Sequence, residues 1–231
     1  MFPIQDTVQA RNPPLITWTL ILLNTLVFLF EVRLPPENLE AFVRQFGMIP
    51  ARLGTDASSY FTLVTSMFLH GGWAHIISNM WTLYLFGDNV EDRMGPARYL
   101  VFYLLCGLAA GLTHYAISPA STLPSLGASG AIAGVLGAYF LLYPTARIIA
   151  MVPILIFPFF FEVPAFMYFL VWFLTQLLSG TLSILGPEQL AGGIAWWAHI
   201  GGFAAGLVLL PLFLQPQKQY RRFYADEQWA W

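Results

Sequence analysis

The sequence predicts an all-α, polytopic membrane protein: a bundle of six transmembrane helices with a membrane-associated first loop. Three observations point there. Of the 231 residues, 58% are hydrophobic and only 10% charged, with a mean hydropathy of +0.65, which leaves too little polar surface to clothe a soluble globule. The aromatic content of 16% suits the belts of membrane interfaces. The apolar residues also gather into stretches approaching the roughly twenty residues that a helix needs to cross the hydrocarbon layer. So much of the chain lies in these stretches that residues 1–231 read as one membrane domain, with core spans over about 16–214 and a cytoplasmic tail over 215–231.

The first stretch, residues 16–32, follows a short arm whose basic residue is Arg11. No small-residue cleavage pattern follows it, so it is expected to remain as a signal-anchor helix. The loop over 33–72 carries its own order. Pro36 suits a helix start, Leu39, Phe42, Val43 and Phe46 recur at helical spacing, and Gly47 suits the stop, which describes a short amphipathic helix lying in the interface. A second apolar piece, 60–69, is expected to sink partly into the leaflet beside it. The remaining spans are read at 73–87, 97–117, 129–143, 164–183 and 195–214. Residues 148–161 are nearly as apolar as a span. They are too few to cross, and Pro153 and Pro158 interrupt them, so the segment reads as an interfacial hairpin or re-entrant piece.

With six crossings, Arg11, Arg93, Arg98, Arg147, Lys218, Arg221 and Arg222 share one side, and Arg33, Arg44 and Arg52 the other. The positive-inside bias places both termini in the cytoplasm. Ser129 then opens the fourth span and His199 lies near the start of the sixth, so the two can meet within the extracytoplasmic leaflet. A seventh crossing through 148–161 would reverse the sixth span and separate them. The net charge of -2 excludes a strong nucleic-acid footprint, and the single Cys106 excludes an intrachain disulfide.

Polar side chains at membrane depth need partners or water, so Ser129 in Gly127-Ala128-Ser129-Gly130 and His199 in Ala198-His199-Ile200-Gly201-Gly202 mark a site. They read as nucleophile and general base. Ser129 begins its helix, where unpaired amides and the positive end of the dipole favour the charge that develops on a tetrahedral oxyanion. Gly130, Gly134 and Gly137, with Gly127 before them, offer a small-residue face, and Gly202 and Gly206 supply a matching one. Close packing of these faces would bring the imidazole within hydrogen-bond reach of the hydroxyl. His75 and Asn79 are four apart and share a helix face, two neutral donors suited to an oxyanion hole alongside the Ser129 amide. His70 is expected to brace the loop before that helix, and Glu91 with Arg93 to brace the loop after it. His114 has no partner motif and reads as structural. Each signal is weak alone, since a serine at a helix start is usually only an N-cap and small-residue faces mostly serve packing. Their co-occurrence carries the reading.

Taken in order, the motifs resemble those of the rhomboid intramembrane serine proteases. The likeness covers nearly the whole chain: His70 and the His75-x-x-x-Asn79 pair, Glu91-Asp92-Arg93-Met94-Gly95 similar to the family's ExRxG turn, Gly127-Ala128-Ser129-Gly130 as its GxSG motif, and Ala198-His199-x-x-Gly202 in the last core helix. The resemblance implies a six-helix rhomboid-like core, a Ser129–His199 dyad without an acidic third member, and oxyanion stabilisation by His75, Asn79 and the Ser129 amide. It implies as substrates single-span membrane proteins within the lipid bilayer, entering laterally past the fifth span and its cap around 186–194 and cut by an acyl-enzyme route. No cofactor, metal or nucleotide is implied. The compact core without added domains suits a bacterial plasma membrane, with the site opening to the extracytoplasmic side.

Two positions depart from the family's pattern. Ala133 stands where many relatives place an aromatic ring against the histidine, so Trp196 or Trp197 is expected to take that place, and the first loop lacks the Trp-Arg pair of some members. Other intramembrane proteases are excluded by motif, since there is neither an HExxH nor a pair of membrane aspartates. A channel or transporter would show charge along a path or repeated broken halves. These spans carry little charge.

Overall fold

The computed structural model describes residues 2–55, 57–154, 157–185 and 195–216. Its elements run β1 (Phe2–Asp6), α1 (Leu15–Glu31), α2 (Pro36–Phe46), α3 (Thr62–Thr65), α4 (Trp73–Met94), α5 (Pro96–Ile117), α6 (Ser129–Leu142), β2 (Arg147–Ile154), β3 (Phe157–Pro164), α7 (Ala165–Leu185) and α8 (Trp196–Phe213). The fold is mostly helical. Of the six expected spans, α5, α7 and α8 have the length and apolarity of a crossing, whereas α1 and α6 are shorter apolar helices. Helix α4 is 22 residues long and turns polar toward its end at Asp88, Asn89, Glu91 and Asp92. Large apolar side chains stand outward around the bundle, Val208 at 74% and Leu212 at 75% exposure among them, a surface that acyl chains solvate and water does not.

Helix α6 is the centre. Every residue over 130–139 is buried, and α8, α5 and α4 pack around it. A helix that is apolar on all sides belongs inside. Its contact with α8 is backbone against backbone: a Cβ on Gly202 would overlap the Gly130 carbonyl, and one on Gly206 the Gly134 carbonyl. Only glycine permits that approach.

The chain is not exclusively helical, which corrects the all-α expectation. Strands β2 and β3 pair as an antiparallel hairpin, and β1 adds to it to give a three-stranded sheet in the order β1-β2-β3. The physical reason is composition, because Ile148, Ile149, Val152, Phe159, Phe160 and Val163 are β-branched or aromatic. The two prolines that interrupt the run face each other across the hairpin, Pro153 opposite Pro158. Arg147 pairs in register with Pro164, and its guanidinium lies 3.5 Å from the Glu162 carboxylate, so the segment returns to where it started. Strand β1 is fastened to α4, where the Trp81 indole donates to the Pro3 carbonyl at 2.7 Å, and to α6, where the Tyr139 hydroxyl donates to Asp6 at 2.6 Å.

Glu91 braces something other than the loop expected of it. Its carboxylate accepts from the amides of Ile16 and Thr17 at 2.9 and 2.8 Å and from the Thr17 hydroxyl at 2.8 Å. Helix α1 begins after Pro14 without a side-chain cap of its own, and Glu91 supplies the missing acceptor from another helix. Arg93 is not its partner; it lies against the Tyr143 hydroxyl, and its carbonyl accepts from Gln215 at 3.0 Å.

In the first loop, α2 starts at Pro36 and stops before Gly47, as the sequence anticipates. Residues 60–69 form α3 and flanking tight turns that bury Leu63, Met67 and Leu69. This loop reaches the start of α6 through a Met48–Ser125 bridge and through the Gly127 amide, which donates to the Ser66 carbonyl at 2.8 Å. The expected cap at 186–194 and the tail from 217 onward lie outside the described residues.

Candidate active site

Geometry at the entrance to α6 starts from Gly127. Its φ of +115° lies where side chains are disfavoured, and a Cβ there would fall 2.7 Å from His75 Nε2 and 3.5 Å from the Asn79 amide nitrogen. Gly127 therefore serves the turn into α6 and not the packing of α6 on α8, a correction to its expected role. The turn sets Ser129 as the first residue of α6, half-buried, with His75 and Asn79 projecting from α4 toward the same turn.

His199 lies in the first turn of α8, three residues before the glycine that rests on Gly130. Its Nε2 is 2.8 Å from Ser129 Oγ, and its Nδ1 is 2.8 Å from Gln176 Oε1 on α7. Two indoles flank the ring: Trp172 of α7, tilted by 31° at 6.1 Å, and Trp196, edge-on at 6.3 Å. Trp197 does not take part, since its indole donates to the Gly180 carbonyl at 3.1 Å. Trp196, and Trp172 with it, thus sets against His199 the aromatic ring that Ala133 does not supply.

Behind the oxyanion candidates sits His70, 4% exposed, with Nε2 3.1 Å from the Asn79 amide nitrogen and its ring edge-on to His75 at 5.0 Å. Burial first, and the neighbouring His75 second, push its pKa down to about 4. The ring is neutral at physiological pH and accepts the Asn79 N–H. Ser129, His199, His75, Asn79, Gln176 and Trp172 line one cavity of about 580 Å³. An imidazole nitrogen in contact with a hydroxyl at a helix N-terminus, inside a cavity with further donors, is an arrangement able to carry out acyl transfer.

Sequence reasoning missed Gln176 and Trp172. The signal for Gln176 was available: an amide in an apolar helix is a polar group at membrane depth, the rule that singled out Ser129 and His199.

The rhomboid domain matches residues 57–216, more than half of the chain, and takes in all six of these cavity residues. The chain belongs to the rhomboid family. Among its relatives is Rhomboid protease GluP of Bacillus subtilis, 37% identical over 135 residues, which are 58% of this chain and 26% of that protein. Rhomboid protein 1, mitochondrial, of Saccharomyces cerevisiae is 28% identical over 179 residues, 74% of this chain and 48% of the relative. RHOMBOID-like protein 12, mitochondrial, of Arabidopsis thaliana is 33% identical over 163 residues, 64% of this chain and 44% of the relative. In each case the match spans less than half of the relative's length. A rhomboid with helices as long and apolar as α5, α7 and α8 is an integral membrane protein.

Proposed function

We propose that this rhomboid is an intramembrane serine endopeptidase that cleaves transmembrane segments near the extracytoplasmic surface through a Ser129–His199 dyad. The observation that carries the reading is the 2.8 Å contact between His199 Nε2 and Ser129 Oγ at the N-terminus of α6. Membership of a family whose relatives include a named rhomboid protease supports it.

In this mechanism His199 Nε2 takes the hydroxyl proton as Ser129 Oγ attacks the scissile carbonyl carbon. The oxyanion forms beside the N-terminus of α6, where the Ser129 amide, His75 and Asn79 donate to it. His199 then passes the proton to the departing amine, the C–N bond breaks, and an ester remains on Ser129. A water molecule, deprotonated by the same ring, attacks that ester and releases the second product.

Helix length argues for the depth of the cut. The 14 residues of α6 make it about 21 Å long, short of the about 30 Å hydrocarbon layer. When Leu142 reaches one interface, Ser129 lies below the other. Six helices crossing, with the basic residues inside, put that interface on the extracytoplasmic side, with the first loop on it. Substrate enters laterally past α7. We read the membrane as a bacterial plasma membrane; of the relatives named above, one is bacterial and two are mitochondrial by name.

The test uses the full chain in proteoliposomes with a single-span helical substrate. Wild type cleaves it, and Ser129→Ala and His199→Ala each fall to background while keeping the wild-type unfolding midpoint. Undiminished cleavage by either variant removes the dyad.

A further inference from the structure

Gln176 is 5% exposed where α7 passes His199. Its amide nitrogen faces two acceptors, the Trp172 carbonyl and Thr175 Oγ1, both at 3.3 Å. A backbone carbonyl only accepts, so turning the amide round would set two oxygens against each other. Oε1 is therefore held toward the imidazole, 2.8 Å from Nδ1, and Nδ1 must carry the ring proton. That leaves a lone pair on Nε2, facing the Ser129 hydroxyl. This is the tautomer that a general base needs.

We propose that Gln176 is the positioning residue of the site, a neutral third member that fixes the tautomer and orientation of His199 from α7. The proposal rests on the Ser129–His199 reading above. Around the ring, Ser129 faces it from α6 and Gln176 from α7, and its titratable neighbours are His75 of α4 and His114 of α5. No carboxylate joins them among the described residues. An anion at this depth would lose its hydration for one contact, whereas an amide orients the ring without a net charge. In serine hydrolases with an acidic third group, that group performs the same orienting task. The neutral version supplies the orientation and leaves out the stabilisation of the imidazolium.

The test measures kcat and KM for a single-span helical substrate in proteoliposomes across the acidic and basic limbs of the pH profile, for wild type, Gln176→Met and Gln176→Glu. Methionine fills a similar volume with no strong acceptor. Its kcat falls roughly ten- to a hundredfold, part of the roughly 100- to 10,000-fold that a positioned base supplies, with KM and the unfolding midpoint unchanged. Glutamate keeps an acceptor and adds charge that favours the imidazolium, so the acidic limb of kcat/KM moves up by about one pH unit or more. Nitrogen NMR of ring-labelled histidine, with His199→Ala to assign the signal, shows Nδ1 protonated in wild type and that preference lost in Gln176→Met.

A wild-type kcat and pH profile in Gln176→Met overturns the proposal, and so does a loss that merely follows a lowered midpoint or a raised KM. Should Gln176→Met fail to accumulate, Gln176→Glu decides, and an unmoved acidic limb overturns the proposal. Turnover by Ser129→Ala strikes the dyad reading instead. The tautomer measured by NMR needs no turnover and still judges Gln176.

Discussion

His70 does its work as a neutral ring. It receives the Asn79 N–H at 3.1 Å, and a proton on that nitrogen would set donor against donor. The folded protein binds a proton there near pH 4 and the unfolded chain near 6.5. Its contribution to stability is therefore complete above about 6.5 and drains away as the pH falls toward 4, the interval in which only the unfolded state is protonated. At pH 5 the loss is on the order of 2 kcal/mol. Thermal unfolding of the wild type should weaken more steeply between neutral pH and that point than unfolding of His70→Gln, and parallel curves would exclude the effect. At this scale the sequence was informative wherever a polar residue interrupted apolar surroundings. Ser129, His199, His75 and Asn79 stood out for that reason, helped by motif spacing. Gln176 interrupts apolar surroundings as well, but no motif spacing draws attention to it. Glu91 was visible as well, yet the helix end that it caps lies some seventy residues earlier in the chain, and nothing local reveals it.

Among elements, the pairing of α6 with α8 decides whether a site exists, because it brings residues 129 and 199 together. Gly202 faces the Gly130 carbonyl, a backbone atom that cannot rotate aside, whereas a Cβ on Gly111 would meet only the end of the Leu63 side chain, at 2.8 Å. Gly202→Ala should therefore cost at or above the top of the roughly 1–3 kcal/mol range for overpacking, and Gly111→Ala much less. Unfolding midpoints of the two variants check this, and equal losses would contradict a backbone-on-backbone contact. The small-residue faces could be read in the sequence because glycine at every fourth position has few other uses in an apolar helix. Helix α2 was readable from Pro36 and Gly47. The sheet was not. An apolar run with two prolines fits several shapes, and β1, which completes the sheet, pairs with residues about 140 positions away, so no local pattern announces it.

For the whole molecule the hairpin bears on the proposed count of six crossings. Arg147 and Pro164 are register partners, so α6 ends and α7 begins side by side, and under that proposal the hairpin adds no crossing between them. Cysteines placed singly at Arg147 and Glu162 should react with an impermeant maleimide from one side of sealed vesicles, the cytoplasmic one, with Cys106 silent because it is buried. Labelling from opposite sides would overturn both the hairpin and the shared leaflet of residues 129 and 199. Interlocked glycines have one more effect at this scale. Helices joined at their backbones answer a thinner or thicker bilayer by tilting as a unit, not by sliding past one another. Mismatch then raises or lowers the hydroxyl and the ring together and leaves their separation alone. Under the proposed function, lipid composition would act as a ruler that shifts which bond of a passing helix is presented, while the chemistry applied to that bond stays the same.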